Sequence, residues 1–134
     1  MDVSHSLLVG RRPIGETKSS SSTGVYAIFA KNGDCLPGIS IPKTGVLYVG
    51  MTKDSLDTRN HFIAKSSGFH SPRRSLGAIL KSVLNLHAVP RSSGKSPKNY
   101  DCYSFAGTGE TRLSEWMCEN LDYAILELGG DIRA

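Results

Sequence analysis

Two short apolar runs dominate what this chain can become: Gly24-Val25-Tyr26-Ala27-Ile28-Phe29 and Gly45-Val46-Leu47-Tyr48-Val49-Gly50. Each opens on glycine, is rich in β-branched and aromatic residues, and carries a tyrosine in its middle. Between them lie Asn32-Gly33, Pro37-Gly38 and Pro42, all turn formers. The pattern predicts two strands joined by a long irregular loop. Side chains alternate across a strand, so Tyr26 shares a face with Ile28, and Tyr48 with Val46. Parity allows a pairing that sets both phenols on one surface, without requiring it.

The segment Thr52 to Ser67 reads as a helix after the second strand. Thr52 or Asp54 serves as N-cap, and Asp57 suits the first turns. Leu56, Asn60, Ile63 and Phe62 supply its inward face. Arg59 flanks that face, three residues from Leu56 and four from Ile63, where it can lean over the sheet edge. His61 is turned about 200° from Arg59 around the helix.

This ordered set resembles the GIY-YIG nuclease superfamily. Gly24-Val25-Tyr26 and Tyr48-Val49-Gly50 match the paired signature, with Val for Ile in both halves, and the helix with Arg59 follows at the family's distance. The resemblance implies a metal-dependent endonuclease acting on DNA, with Mg²⁺ or another divalent cation. In that reading Tyr26 is the base, or positions the attacking water, and Tyr48 supports it by hydrogen bonding. Arg59 steadies charge on the phosphate with its planar fork of donors. A phenol with its ordinary pKa of about 10 needs a neighbouring cation to act as a base at neutral pH. The competing reading makes both tyrosines half-buried strand residues packed on the core. The family often carries His or Tyr one turn beyond its Arg. Ile63 holds that place here, leaving His61, and more loosely His70, as stand-ins. Gly50 either lets a substrate phosphate come near or makes a simple turn.

Ser71 to His87 reads as one helix, with Ser71 as cap, Pro72 in the first turn, and a core stripe of Leu76, Ile79, Leu80, Val83, Leu84 and His87. Arg74, Ala78, Lys81 and Asn85 form the opposite rail. With Arg73 and Lys65 they make either a basic strip along a DNA backbone or a solvated face. Pro90 to Lys98 holds three cations and no acid, and reads as a DNA-contacting loop or an exposed insertion. Asp101 to Phe105 suits a short strand, Ser114 caps a following helix with Leu113 and Trp116 inward, and Tyr123 to Leu128 is a further strand ending at Gly129-Gly130.

The departure from the family lies beyond that strand. The resemblance calls for a metal-binding Glu on a helix there, and Asp131 to Ala134 looks only like a helix start. Glu110, Glu115, Glu119 and Glu127 all precede the expected place, so the metal ligand is unknown. The readings are a truncated domain, a substitute carboxylate, or lost catalysis. A divalent cation such as Mg²⁺ wants carboxylate oxygens.

The bounds agree with a small α/β (α+β) domain at residues 23–134: a mostly antiparallel sheet of about three strands flanked by helices. Residues 1–22, with Arg11-Arg12-Pro13 and the run Ser19 to Ser22, read as a flexible arm whose arginines are candidate phosphate contacts and whose Leu7, Leu8 and Val9 could dock. The 134 residues suit one core, and 16 basic against 12 acidic side chains give net charge +4, compatible with a polyanionic partner. No apolar run spans a bilayer, and no secretory signal opens the chain. Cys35, Cys102 and Cys118 have no C-x-x-C pair and read as reduced thiols of a cytoplasmic protein. A non-catalytic nucleic-acid-binding module is the alternative function, and a protein-interaction domain the more distant one.

Overall fold

The structure of the protein, a computed structural model, describes residues 2–16, 20–53, 56, 61–62, 67–92 and 96–128. The chain divides into two units, Met1–Asn60 with Cys118–Ala134, and His61–Met117.

The first unit is built on an antiparallel sheet with strands β1 (Arg12–Pro13), β2 (Gly24–Ala30), β3 (Val46–Thr52) and β6 (Leu121–Glu127). Their order across the sheet is β1-β6-β2-β3. Both predicted strands form and pair antiparallel, and the turn-rich residues between them make the long connection. The sheet has four strands where about three are expected, because Arg12 and Pro13 pair with Tyr123 and Asp122 of β6. Alternation gives β2 two faces. Tyr26 and Ile28 lie opposite Gly50 and Tyr48 on β3, and opposite Ile125 and Tyr123 on β6. Val25 and Ala27 lie on the other face with Met51, Val49, Leu126 and Ala124. The register slips between Ile28 and Phe29, a bulge that sets Phe29 opposite Val46.

Helix α1 (Val3–Val9), N-capped by the Asp2 carboxylate, covers part of that second face. Leu7 packs with Ala27, Phe29 and Ala124. The residues before Gly24 therefore include a helix and a strand as well as the serine run. Arg11 is likewise engaged within the protein. Its guanidinium donates to Asp122 (2.8 Å) and to the Ala30 and Thr44 carbonyls (2.8 and 2.9 Å), and sits 4.9 Å from the centre of the Phe29 ring.

The second unit holds α2 (Ser71–Ile79), α3 (Lys81–Leu84), β4 (Ala88–Val89), α4 (Pro97–Asp101), β5 (Ser104–Phe105) and α5 (Gly109–Asn120) as far as Met117. β4 and β5 pair antiparallel. The helix expected over 71–87 is two pieces: it stops at Ile79, resumes at Lys81, and closes on Asn85 in the left-handed region (φ 52°). This turn spoils the single stripe. Leu76 and Leu80 stay buried, but Val83 and His87 are exposed, and Leu86 takes the inner place. Asp101 to Phe105 yields only a two-residue strand, because 97–101 forms α4. Ser114 lies inside α5, not at its cap, and Leu113 is fully buried with Trp116 half-buried. The helix expected over 52–67 lies mostly outside the described residues. No described helix is long and apolar enough to cross a membrane.

Arg73 centres this unit, and its expected place on a DNA-facing strip is corrected: it has no exposed surface. It lies two positions past the N-terminal end of α2, where its side chain turns inward. Its guanidinium donates to the His61 carbonyl (2.7 Å), the Ser114 hydroxyl (2.9 Å), the Glu110 carbonyl (2.9 Å) and the Glu110 carboxylate (2.9 Å). The same carboxylate accepts from the Ser67 hydroxyl (2.6 Å), the Ser67 amide (2.9 Å) and the Phe105 amide (2.8 Å). Burial alone would raise the Glu110 carboxyl's pKa. The donors from Ser67, Arg73 and Phe105 together outweigh it and hold the carboxyl below its ordinary range.

Removing one partner of a buried pair strands the other charge, so Arg73→Leu should cost about 3–5 kcal/mol in urea unfolding. The sign of the Glu110 effect follows from its depressed pKa. The stabilisation is complete above the ordinary glutamate value of 4.5 and disappears as pH falls through the lower folded value. Glu110→Gln should lower stability at pH 7 and flatten the acid limb of a plot of Tm against pH.

Candidate functional site

The face of the first unit's sheet that carries Tyr26 is laid out by register. In one row Tyr48, Ile28 and Tyr123 stand side by side across β3, β2 and β6; in the next stand Gly50, Tyr26 and Ile125. Tyr26 is therefore diagonal to both other phenols. Its ring centre lies 6.0 Å from that of Tyr48 and 5.8 Å from that of Tyr123, tilted by 30° and 38°. These separations are those of packed aromatic pairs.

Gly50 explains how the ring fits. A Cβ at this position would stand 2.7 Å from Tyr26 Cε1 and collide with Cζ and the hydroxyl. The phenol thus lies across bare backbone on the neighbouring strand. The open side of Gly50, read from sequence as room for a substrate phosphate or as a turn, is occupied by Tyr26. Exposure separates the pair: Tyr26 is 3% exposed and Tyr48 37%. Solvent meets the tyrosines at Tyr48. Tyr123, 5% exposed, was legible only as a strand residue. The signal available was its aromatic character in a third strand, but its place beside Tyr26 needs the register.

The other site residues fall differently. Arg59 and Lys65 lie outside the described residues. His61 belongs to the second unit and is 2% exposed. Its Nδ1 is 2.9 Å from Nδ1 of His70, ring edge against face. One ring donates this hydrogen bond and the other accepts it. His70 is also the residue from which α2 starts, and it spends its imidazole on His61 rather than on capping the helix. Arg74 is half-buried and donates to the Gly68 carbonyl (2.9 Å) within the short 3-10 turn Ser67–Phe69. Lys81 is exposed.

A divalent cation needs converging carboxylates. Among the described residues no three His, Cys, Asp or Glu side chains converge. Glu110 is committed to Arg73, Ser67 and Phe105, Asp122 to Arg11, and Glu127 accepts from Ser20 (3.0 Å). These residues do not fit a magnesium site.

One family model, that of the GIY-YIG catalytic domain, matches residues 24–130. Searches of curated proteins and of solved structures each returned no match.

The close approach at Gly50 has a direct test. Gly50→Ala should displace the Tyr26 ring and cost about 1–3 kcal/mol, the range for overpacking. A lowered urea midpoint together with a changed near-ultraviolet tyrosine dichroism is the expected result.

Proposed function

Because the chain belongs to the GIY-YIG catalytic-domain family, we propose that it is a nuclease domain hydrolysing phosphodiester bonds in DNA. The observation that carries this reading is the packing of Tyr26 against Tyr48, one from each signature strand, on a single sheet face. Hydrolysis needs a water whose proton is removed in step with attack on phosphorus, and donors for the charge that develops. Tyr26 is held in one orientation by bare backbone at Gly50 and by a phenol on either side. Such fixity suits a group that must place a water or take its proton. Tyr48, at the solvent edge of the pair, supports it by hydrogen bonding. Arg59 steadies the phosphoryl oxygens in this proposal, because guanidinium is planar and permanently charged.

Domains of this family typically use a divalent cation. Since the described carboxylates build no site for one, the steps above involve only the phenols and the guanidinium, and Mg²⁺ enters as a variable of the assay. The excess of four positive charges favours a polyanion, and exposed Lys81 is one of the cations free to approach phosphate.

The test is nicking of supercoiled plasmid with and without Mg²⁺, alongside DNA binding measured by anisotropy across a salt series. Tyr26→Phe should lower the cleavage rate by roughly 10²–10⁴-fold, the usual scale for a proton-transfer group. Its affinity for DNA should stay within about threefold of wild type. Salt-sensitive binding with no cleavage at any Mg²⁺ concentration would assign a binding module instead. Cleavage unaffected by Tyr26→Phe would overturn the mechanism.

A further inference from the structure

Tyr26 has an unusual setting for a residue that must keep its orientation. The position directly across β3 is Gly50, so no cross-strand side chain braces its ring there. Among the described residues, the rings of Tyr48 and Tyr123 both lie against it, at nearly equal distances. The two rings differ in kind. Tyr48 is 37% exposed and sits on β3, which ends the order of this sheet. Tyr123 is 5% exposed and sits on β6, which is hydrogen-bonded to β1 on one side and β2 on the other. A side chain on an inner strand, packed on a continuous ladder, has less freedom than one at a solvent-facing edge.

We infer that Tyr123 is a positioning residue for Tyr26, its ring acting as the fixed wall that sets the direction of the Tyr26 phenol. The function lies in the ring, which is the group in contact. Without it, the Tyr26 ring gains room on the β6 side, the Gly50 backbone supports it from β3 alone, and it turns. The effect on turnover rests on the nuclease reading; the effect on Tyr26 orientation does not. Small misplacements of a reacting group are expensive, with about 1 Å enough for roughly 10²-fold in rate. Affinity for DNA, carried mainly by phosphate contacts, should be indifferent to such a turn.

The experiment compares Tyr123→Phe, which keeps the ring, with Tyr123→Leu, which removes it. Two measurements are made on the full chain: plasmid cleavage, and the ring resonances of Tyr26 in protein with labelled tyrosine, assigned by their loss in Tyr26→Phe. Tyr123→Phe should leave the Tyr26 resonances and the cleavage rate near wild type. Tyr123→Leu should weaken the nuclear Overhauser contacts from the Tyr26 ring to the Gly50 α-protons, which loss of the Tyr123 ring current alone would not do, and lower kcat by roughly 10- to 100-fold, with KM little changed. Adding Tyr123→Leu to Tyr26→Phe should then lower kcat no further. The inference is overturned if Tyr123→Leu melts earlier but leaves those Tyr26–Gly50 contacts at wild-type strength. It is also overturned if Tyr123→Phe moves the Tyr26 resonances, because the hydroxyl would then be the group that matters; this arm decides even if Tyr123→Leu fails to fold. Should wild type show no cleavage, the nuclease reading fails while the resonance arm still judges the placement.

Discussion

A phenol laid across the backbone of a neighbouring strand is a demanding arrangement. It needs a glycine opposite, a register that does not slip, and neighbours that close the remaining space. The Tyr26 and Gly50 crossing meets all three through the pairing of β2 with β3 on one side and β6 on the other. A one-residue slip would send Tyr26 to the face covered by Leu7 and replace it with Val25 or Ala27. The bulge between Ile28 and Phe29 falls beyond this crossing, so the irregularity does not disturb it. The same geometry that packs the sheet therefore arranges the tyrosines.

The two halves of the chain rely on different physics. The first unit is organised by a hydrogen-bonded ladder and alternating faces. Among its described residues the second has a two-residue pair of strands, short helices and most of α5, and a buried ion pair does much of the tying. Glu110 brings together the turn at Ser67, the start of α2 through Arg73, and the amide of Phe105 on β5. Apolar contacts from Leu76, Leu80, Leu86 and Leu113 fill the rest. A charge pair so nearly shut off from water is sensitive to the loss of either partner and to acid, whereas the sheet rests on its backbone ladder and apolar faces, with the more exposed Arg11–Asp122 pair beside them.

Strands were more legible than helices for a physical reason. β2 and β3 announce themselves by composition and flanking glycines, and the long connection by its turn residues; their tyrosines were placed correctly on strands of the sheet. Periodicity over 71–87 correctly marked a helical region but could not reveal the turn at Leu80, so Val83 was assigned inward and Leu86 was not. Arg73 shows a deeper limit. Nothing local distinguishes it from Arg74 beside it, yet one is fully buried on a carboxylate 37 positions away and the other reaches only the adjacent turn. Such pairings are long-range and leave no trace in spacing. Tyr123 was invisible as a site residue for the same reason, since its neighbour Tyr26 lies at the other end of the chain.

Strand order carries a consequence for how the protein is made. β6 comes last of the strands in sequence, yet it occupies an inner place, between β1 and β2. During synthesis on the ribosome, β1 and β2 emerge long before the strand that separates them. The early segments can form the β2–β3 hairpin, but β1 has no ladder to join until residues 121–127 appear. Pairings so distant in sequence close slowly. The nascent chain must therefore hold an open edge on β2 until residues 121–127 emerge, and that interval is when chaperones or proteases would find it most exposed.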